Sequence, residues 1–125
     1  MNIAIWIITV LIAVAFIGAG LMKVAQPRAK LAANGMAWTN DYSDAGVKLV
    51  GLAELLGGLG LILPAVTGIA PILVPIAAAG LTVIMIGAVV WHVRAGDGAK
   101  ETMPSVILGI LALVVAITRF GPYAF

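Results

Sequence analysis

A single carboxylic acid, Glu54, lies inside one of the most apolar stretches of this chain. The stretch from Gly51 to Leu63 contains four glycines and no other charged residue. A carboxylate in such surroundings is costly, and acidic residues inside membrane segments are generally held by a partner and used for a function. Glu54 is therefore the first residue to consider for proton transfer or for binding a polar group.

Three further residues that could do chemistry end apolar stretches. Lys23 ends the first stretch, and His92 and Arg94 end the third. A carboxylate paired with an imidazole or an ammonium could share a proton, or bind a lipid head group or a quinone carbonyl. The same residues are compatible with a structural role, in which Glu54 pairs with Lys23 and fixes the packing. Trp38 is open to two interpretations, an anchor at the membrane interface or a ligand contact.

The composition predicts a membrane protein with one domain, residues 1–125. Hydrophobic residues make up 63% of the chain and charged residues only 10%, and the mean hydropathy is +1.20. In a soluble domain, roughly a quarter of the residues are charged. We therefore expect most of this chain to lie within the lipid bilayer.

Four apolar segments are candidate membrane spans: 3–22, 46–63, 72–93 and 105–119. We expect the first to be a transmembrane helix and not a cleaved signal peptide, because no basic residue precedes it. Residues 26–35 predict a short interfacial helix, with Pro27 in its first turn and Gly35 just past its end. The predicted fold is all-α and integral to the membrane, a four-transmembrane-helix bundle with a short interfacial helix between helices 1 and 2.

The distribution of basic residues predicts the orientation. Four spans place two charged loops on one side of the membrane, and six of the seven basic residues lie there. The positive-inside rule puts these loops in the cytoplasm and both termini outside a cytoplasmic (inner) membrane. Glu54 then lies about 12 Å below the cytoplasmic entrance, at 1.5 Å per helical residue. The topology gathers Glu54, His92, Lys23 and Arg94 in one leaflet.

Small residues predict how the helices associate, because membrane helices approach closely where side chains are small. The second span offers Gly51 and Gly58, and the third offers Ala77, Gly80 and Gly87.

Several kinds of site are excluded by residue type. The chain contains no cysteine and one histidine, which excludes disulfides, thiol chemistry and a histidine-cluster metal site within one protomer. The glycines of the second span lie in an apolar helix and do not form a phosphate-binding loop. No basic patch with interleaved aromatic residues indicates nucleic acid. No cofactor is evident, and the small molecules compatible with the polar cluster are a quinone or a lipid.

Short motifs throughout the chain resemble the DoxX-like family of membrane proteins. They are Phe16-x-x-x-Gly20-x-x-Lys23, Gly51-x-x-Glu54-x-x-Gly57 and Trp91-His92-x-Arg94-x-Gly96-Asp97, together with Pro27, Gly35-Met-Ala-Trp38 and Leu63-Pro64. The resemblance implies a four-helix bundle in the cytoplasmic membrane, and its wider family includes a small subunit of thiosulfate:quinone oxidoreductase. The bundle also resembles vitamin K epoxide reductase-like proteins, but the absence of cysteine departs from their dithiol chemistry. At Lys23, Glu54, His92 and Arg94 the resemblance implies a polar site.

Three functions follow as hypotheses. The leading one is an accessory subunit or binding module for a quinone or lipid, which works with a redox-complex protein partner and has no independent enzymatic activity. The alternative is a small transporter or permeation protein, which requires a homo-oligomer because four short helices rarely enclose a pathway. The third is an enzyme that uses Glu54 and His92 as an acid–base pair.

Overall fold

The computed structural model describes residues 2–26, 44–96 and 98–124. Four long α-helices make up nearly all of these residues. In chain order they are α1 (Asn2–Ala25), α2 (Asp44–Thr67), α3 (Leu73–Arg94) and α4 (Ala99–Phe120). The predicted interfacial helix at 26–35 and the candidate Trp38 lie outside the described residues, apart from Gln26.

All four helices are long and apolar enough to cross a membrane. The 24 residues of α1 span about 36 Å at 1.5 Å per residue, more than the roughly 30 Å of a hydrocarbon core. Large apolar side chains are exposed on every helix, for example Leu11, Leu56, Val83 and Ile110. Exposed surface of this kind is typical of contact with lipid. The predicted four-helix integral membrane fold is confirmed.

Two helices extend past the prolines that adjoin their predicted bounds. The second helix continues through Pro64 to Thr67, and the fourth begins at Ala99 with Pro104 inside it. A proline removes one i to i−4 hydrogen bond and bends a helix without necessarily ending it. Unsatisfied backbone groups are costly in lipid, so continuing the helix is favoured. The predicted bounds at residues 63 and 105 were therefore too narrow.

The turn between α2 and α3 begins at a glycine. Gly68 follows α2 with a φ of +72°, a left-handed conformation that glycine adopts without steric cost. The backbone N–H of Leu73 donates to the carbonyl of Ala70 at 2.9 Å, which starts α3. The turn is confined to residues 68–72, so α3 returns directly beside α2.

The bundle consists of two antiparallel helix pairs. The most extensive helix contacts are between α1 and α2 and between α3 and α4, and α2 packs against α3 to join the pairs. Phe16, Leu61, Ala78 and Val115 are fully buried where the four helices meet. Apolar packing therefore fills the middle of the bundle and leaves the polar residues nearer its ends.

Glycines bring α1 and α2 close together, as expected for the second span. A Cβ atom on Gly20 would lie 2.5 Å from the Gly51 carbonyl oxygen, and one on Gly58 would lie 2.7 Å from Ile17. The corresponding prediction for α3 was wrong at two positions. A Cβ atom on Gly80 or Gly87 meets nothing within 4 Å, so these glycines do not mediate helix contacts.

Candidate functional site

A partly open cavity lies among the helices at the end of the bundle where α1 and α3 finish, here called the Lys23 end. Its volume is about 300 Å³ and all four helices contribute to its wall. The lining residues are Lys23, Val50, Glu54, Ile84, Met85, Gly87, Ala88, Trp91, His92 and Ser105. The wall is mainly apolar with a few polar groups, a combination typical of small-molecule sites.

An ion pair between two helices forms the charged part of the wall. The Nζ atom of Lys23, in the last turn of α1, donates to Oε1 of Glu54, on α2. The two residues are only 7% and 2% exposed, so the bundle holds both charges away from solvent. Neither charge could be buried alone at acceptable cost, because a buried charge requires a partner. The ion pair explains how α2 tolerates a carboxylate within an apolar segment.

Close packing of α1 on α2 places the lysine. Gly51 lies one turn before Glu54, and a Cβ atom on it would approach the Cβ of Lys23 to 2.6 Å. The absence of a side chain at position 51 lets the stem of Lys23 pass at this point. The short Gly51-x-x-Glu54 spacing therefore supplies both the gap for the lysine and its counter-charge.

The last turns of α3 supply the aromatic part of the wall. The rings of Trp91 and His92 meet edge to face, with centroids 5.3 Å apart and planes 84° apart. Both line the cavity, and the hydroxyl-bearing Ser105 of α4 completes its polar wall. An indole N–H, an imidazole and a hydroxyl offer hydrogen bonds without fixed charge.

The structure brings three of the five sequence candidates together. Lys23, Glu54 and His92 line the cavity, whereas Arg94 is exposed and does not. Residues two apart on a helix lie on opposite sides, so His92 and Arg94 point in different directions. Trp38 lies outside the described residues.

Two lining residues had been interpreted otherwise or overlooked. The sequence singles out Trp91 only within a family motif, and it predicts Ser105 only as the first residue of the fourth span. Ser105 lies more than one turn inside α4, since that helix begins at Ala99. Its polar side chain at the same end as His92 was the available signal.

A second polar cluster lies at the opposite end of the bundle, here called the Arg119 end. Arg119 is 3% exposed, and its Nη1 atom donates to Asn2 Oδ1 at 2.7 Å and to the Tyr123 carbonyl at 2.9 Å. Its guanidinium carbon lies 5.6 Å from the centre of the Trp6 ring, within reach of a cation–π interaction. Arg119 thus ties the start of α1 to the end of α4.

No group of three or more His, Cys, Asp or Glu side chains within the described ranges could hold a metal ion. The described polar groups at the Lys23 end are an ion pair, an imidazole, an indole and a hydroxyl. Such a set can orient a polar head group by hydrogen bonds.

Comparison with known proteins gives a family for this chain. The model of the DoxX-like family matches residues 7–116, nearly the entire sequence and parts of all four helices. No curated protein and no solved structure matches the chain.

Proposed function

This chain belongs to the DoxX-like family, and we propose that it is a membrane-embedded binding module for a small amphiphile, a quinone or a lipid. The observation that carries the proposal is the cavity at the Lys23 end, where a buried ion pair shares one wall with His92 and Trp91. An amphiphile suits this arrangement because the polar groups bind its head and the apolar residues contact its tail.

The position of the cavity supports a ligand that arrives through the membrane. The lining residues from Ile84 to His92 belong to an apolar helix that is long enough to span the bilayer. A lipid-soluble molecule is already concentrated in that layer. The cavity volume of about 300 Å³ is at the small end of ligand pockets and suits one head group.

The accessory role rests on the family. The resemblance to redox-linked membrane subunits supports a protein partner with which the module shares its ligand. Affinity purification after gentle extraction tests this part separately. A redox enzyme recovered in stoichiometric amount supports the role, whereas recovery of the chain alone contradicts it.

The ligand is tested by native mass spectrometry of protein extracted from its own membrane in lipid nanodiscs. Gly87 lines the cavity and has open space at its Cβ position, so Gly87→Phe should fill the cavity while leaving helix contacts intact. Gly80 has equally open space but lines an adjoining apolar groove between α2 and α3 and not the cavity itself, and Gly80→Phe is the matched control.

We expect one small molecule bound to the wild type and to Gly80→Phe but absent from Gly87→Phe. The mass of that molecule would distinguish a quinone from a lipid. A wild type without bound molecules, or a ligand retained equally in Gly87→Phe, contradicts binding in this cavity.

We also propose that the Lys23 end lies at the cytoplasmic face of the inner membrane. The reason is that six of the seven basic residues lie at that end, and basic residues favour the cytoplasmic side. The absence of native cysteine makes labelling direct. Single cysteines at Gly98 and Ala124 would be exposed to a membrane-impermeant maleimide in intact spheroplasts. We expect labelling at 124 and protection at 98 until the membrane is opened, and the reverse pattern contradicts the orientation.

A further inference from the structure

The described residues of the cavity wall carry one charged group of each sign. Among the described lining residues, Lys23 supplies the one ammonium and Glu54 the one carboxylate, and the two are paired. The other polar groups are the imidazole of His92, the indole of Trp91 and the hydroxyl of Ser105. The head group of a ligand therefore meets both signs of charge within the same small volume.

This balance disfavours a charged head group of either sign. A phosphate or carboxylate that approached Lys23 would also approach the Glu54 carboxylate, which is 2% exposed and fixed in place. Like charges at short range in a site shielded from water are costly. An ammonium head group meets the same difficulty at Lys23. Specificity of this kind comes from a repulsive element as well as an attractive one.

An uncharged head group that carries oxygen fits the same wall. Lysine and indole N–H groups donate hydrogen bonds, an ionised carboxylate accepts them, and a serine hydroxyl does both. A carbonyl or hydroxyl oxygen can therefore be bound without displacing the ion pair. Apolar neighbours such as Ile84, Met85 and Ala88 are suited to the adjoining hydrocarbon.

We propose that the Lys23–Glu54 ion pair is a charge filter, which restricts the cavity to amphiphiles with an uncharged, oxygen-bearing head and excludes alkyl phosphates and alkylamines. Each member of the pair excludes the head groups of its own sign. This inference rests on the proposed binding function and adds the ligand class and the residues that set it.

The test uses probes with one tail and three heads: oleyl alcohol, oleyl phosphate and oleylamine. Binding to the full chain in nanodiscs of zwitterionic lipid is measured by native mass spectrometry, and binding that survives in Gly87→Phe is subtracted as partition into lipid. For the wild type we expect oleyl alcohol to bind more than about tenfold tighter than either charged probe, a difference of 1.4 kcal/mol or more. A short-tailed quinone serves as a second uncharged probe. Comparing its affinity with that of oleyl alcohol shows whether the cavity prefers a quinone or an alcohol head group.

Two variants should reverse the preference in opposite directions. Glu54→Gln removes the carboxylate and should make oleyl phosphate the tightest probe, because the ammonium remains. Lys23→Gln should favour oleylamine for the corresponding reason. Exchanging the pair, Lys23→Glu with Glu54→Lys, should restore the preference for the alcohol. Lys48→Gln, an exposed lysine whose Nζ donates to the Val24 carbonyl at 2.9 Å, is the control and should change nothing.

The outcomes separate this inference from the binding function. Oleyl phosphate that binds the wild type as tightly as oleyl alcohol overturns the filter while the binding function stands, and this comparison requires no variant to fold. An unchanged preference in a folded Glu54→Gln variant overturns it as well. If Gly87→Phe binds every probe as tightly as the wild type does, the binding function itself is overturned.

Discussion

The bundle buries a basic side chain near each of its two ends, and it holds them differently. Arg119 donates to Asn2 and to the Tyr123 carbonyl and lies beside the ring of Trp6. Lys23 is paired with a carboxylate at the wall of a cavity. The Arg119 cluster joins chain ends, whereas the ion pair presents charge to a space that a ligand can enter. A buried charge in a membrane helix thus indicates a site only when its partner and the adjoining space are known.

We expect the largest loss of stability at the Lys23 end from Glu54→Leu. The variant leaves the Lys23 ammonium buried without its carboxylate, and breaking a buried ion pair in this way costs about 3–5 kcal/mol. Unfolding in mixed micelles should show that loss. The double variant Lys23→Met with Glu54→Leu should recover most of it, because an apolar pair carries no uncompensated charge. A single variant as stable as the wild type would show that the ion pair contributes little to packing.

A smaller loss is expected when the gap beside Lys23 is filled. Gly51→Ala places a methyl group 2.6 Å from the Lys23 Cβ and 3.0 Å from the Gly20 carbonyl oxygen, and overpacking of this kind costs about 1–3 kcal/mol. Gly80→Ala, where the new Cβ meets nothing within 4 Å, is the matched control and should be as stable as the wild type. Equal unfolding curves for both variants would contradict the close contact of α1 and α2.

The Arg119 end should respond in stability alone. Arg119→Met removes two hydrogen bonds to a charged group, and we expect a loss of about 1–3 kcal/mol. Occupancy of the cavity, measured by native mass spectrometry on folded protein, should stay at the wild-type level. A lost ligand together with normal stability would assign function to the Arg119 cluster and would reverse the comparison.

Much of this structure could be predicted from residue types and spacing. Four apolar segments predict four helices, and the position of Lys23 at the end of one segment predicts its proximity to Glu54 in the next. Topology assigns both residues to one leaflet, and the structure shows that their side chains are in contact. Arg94 was grouped with His92 because topology assigns an end of the bundle and not a side of the helix. Their spacing of two residues already indicated that they lie on opposite sides.

Other features depend on packing that single residues do not determine. Gly51 and Gly87 are the same residue type in similar apolar surroundings, yet Gly51 is in close contact with α1 and Gly87 borders a cavity. A small residue permits close approach without requiring it. The fourth span was likewise predicted to begin at residue 105, whereas α4 begins at Ala99, so Ser105 lies inside the helix and lines the cavity.

The most direct test of the central claim is to map where an amphiphile binds. A photoactivatable oleyl alcohol is cross-linked to the wild type in nanodiscs, and the labelled residues are identified by peptide mass spectrometry. Label is counted as specific if it disappears when excess unlabelled oleyl alcohol is added and is absent from the Gly87→Phe variant. We predict that this label lies between Ile84 and His92 and near Glu54, at the Lys23 end. Specific label near Trp6 and Arg119, or label spread evenly over the lipid-facing surface, would contradict the account.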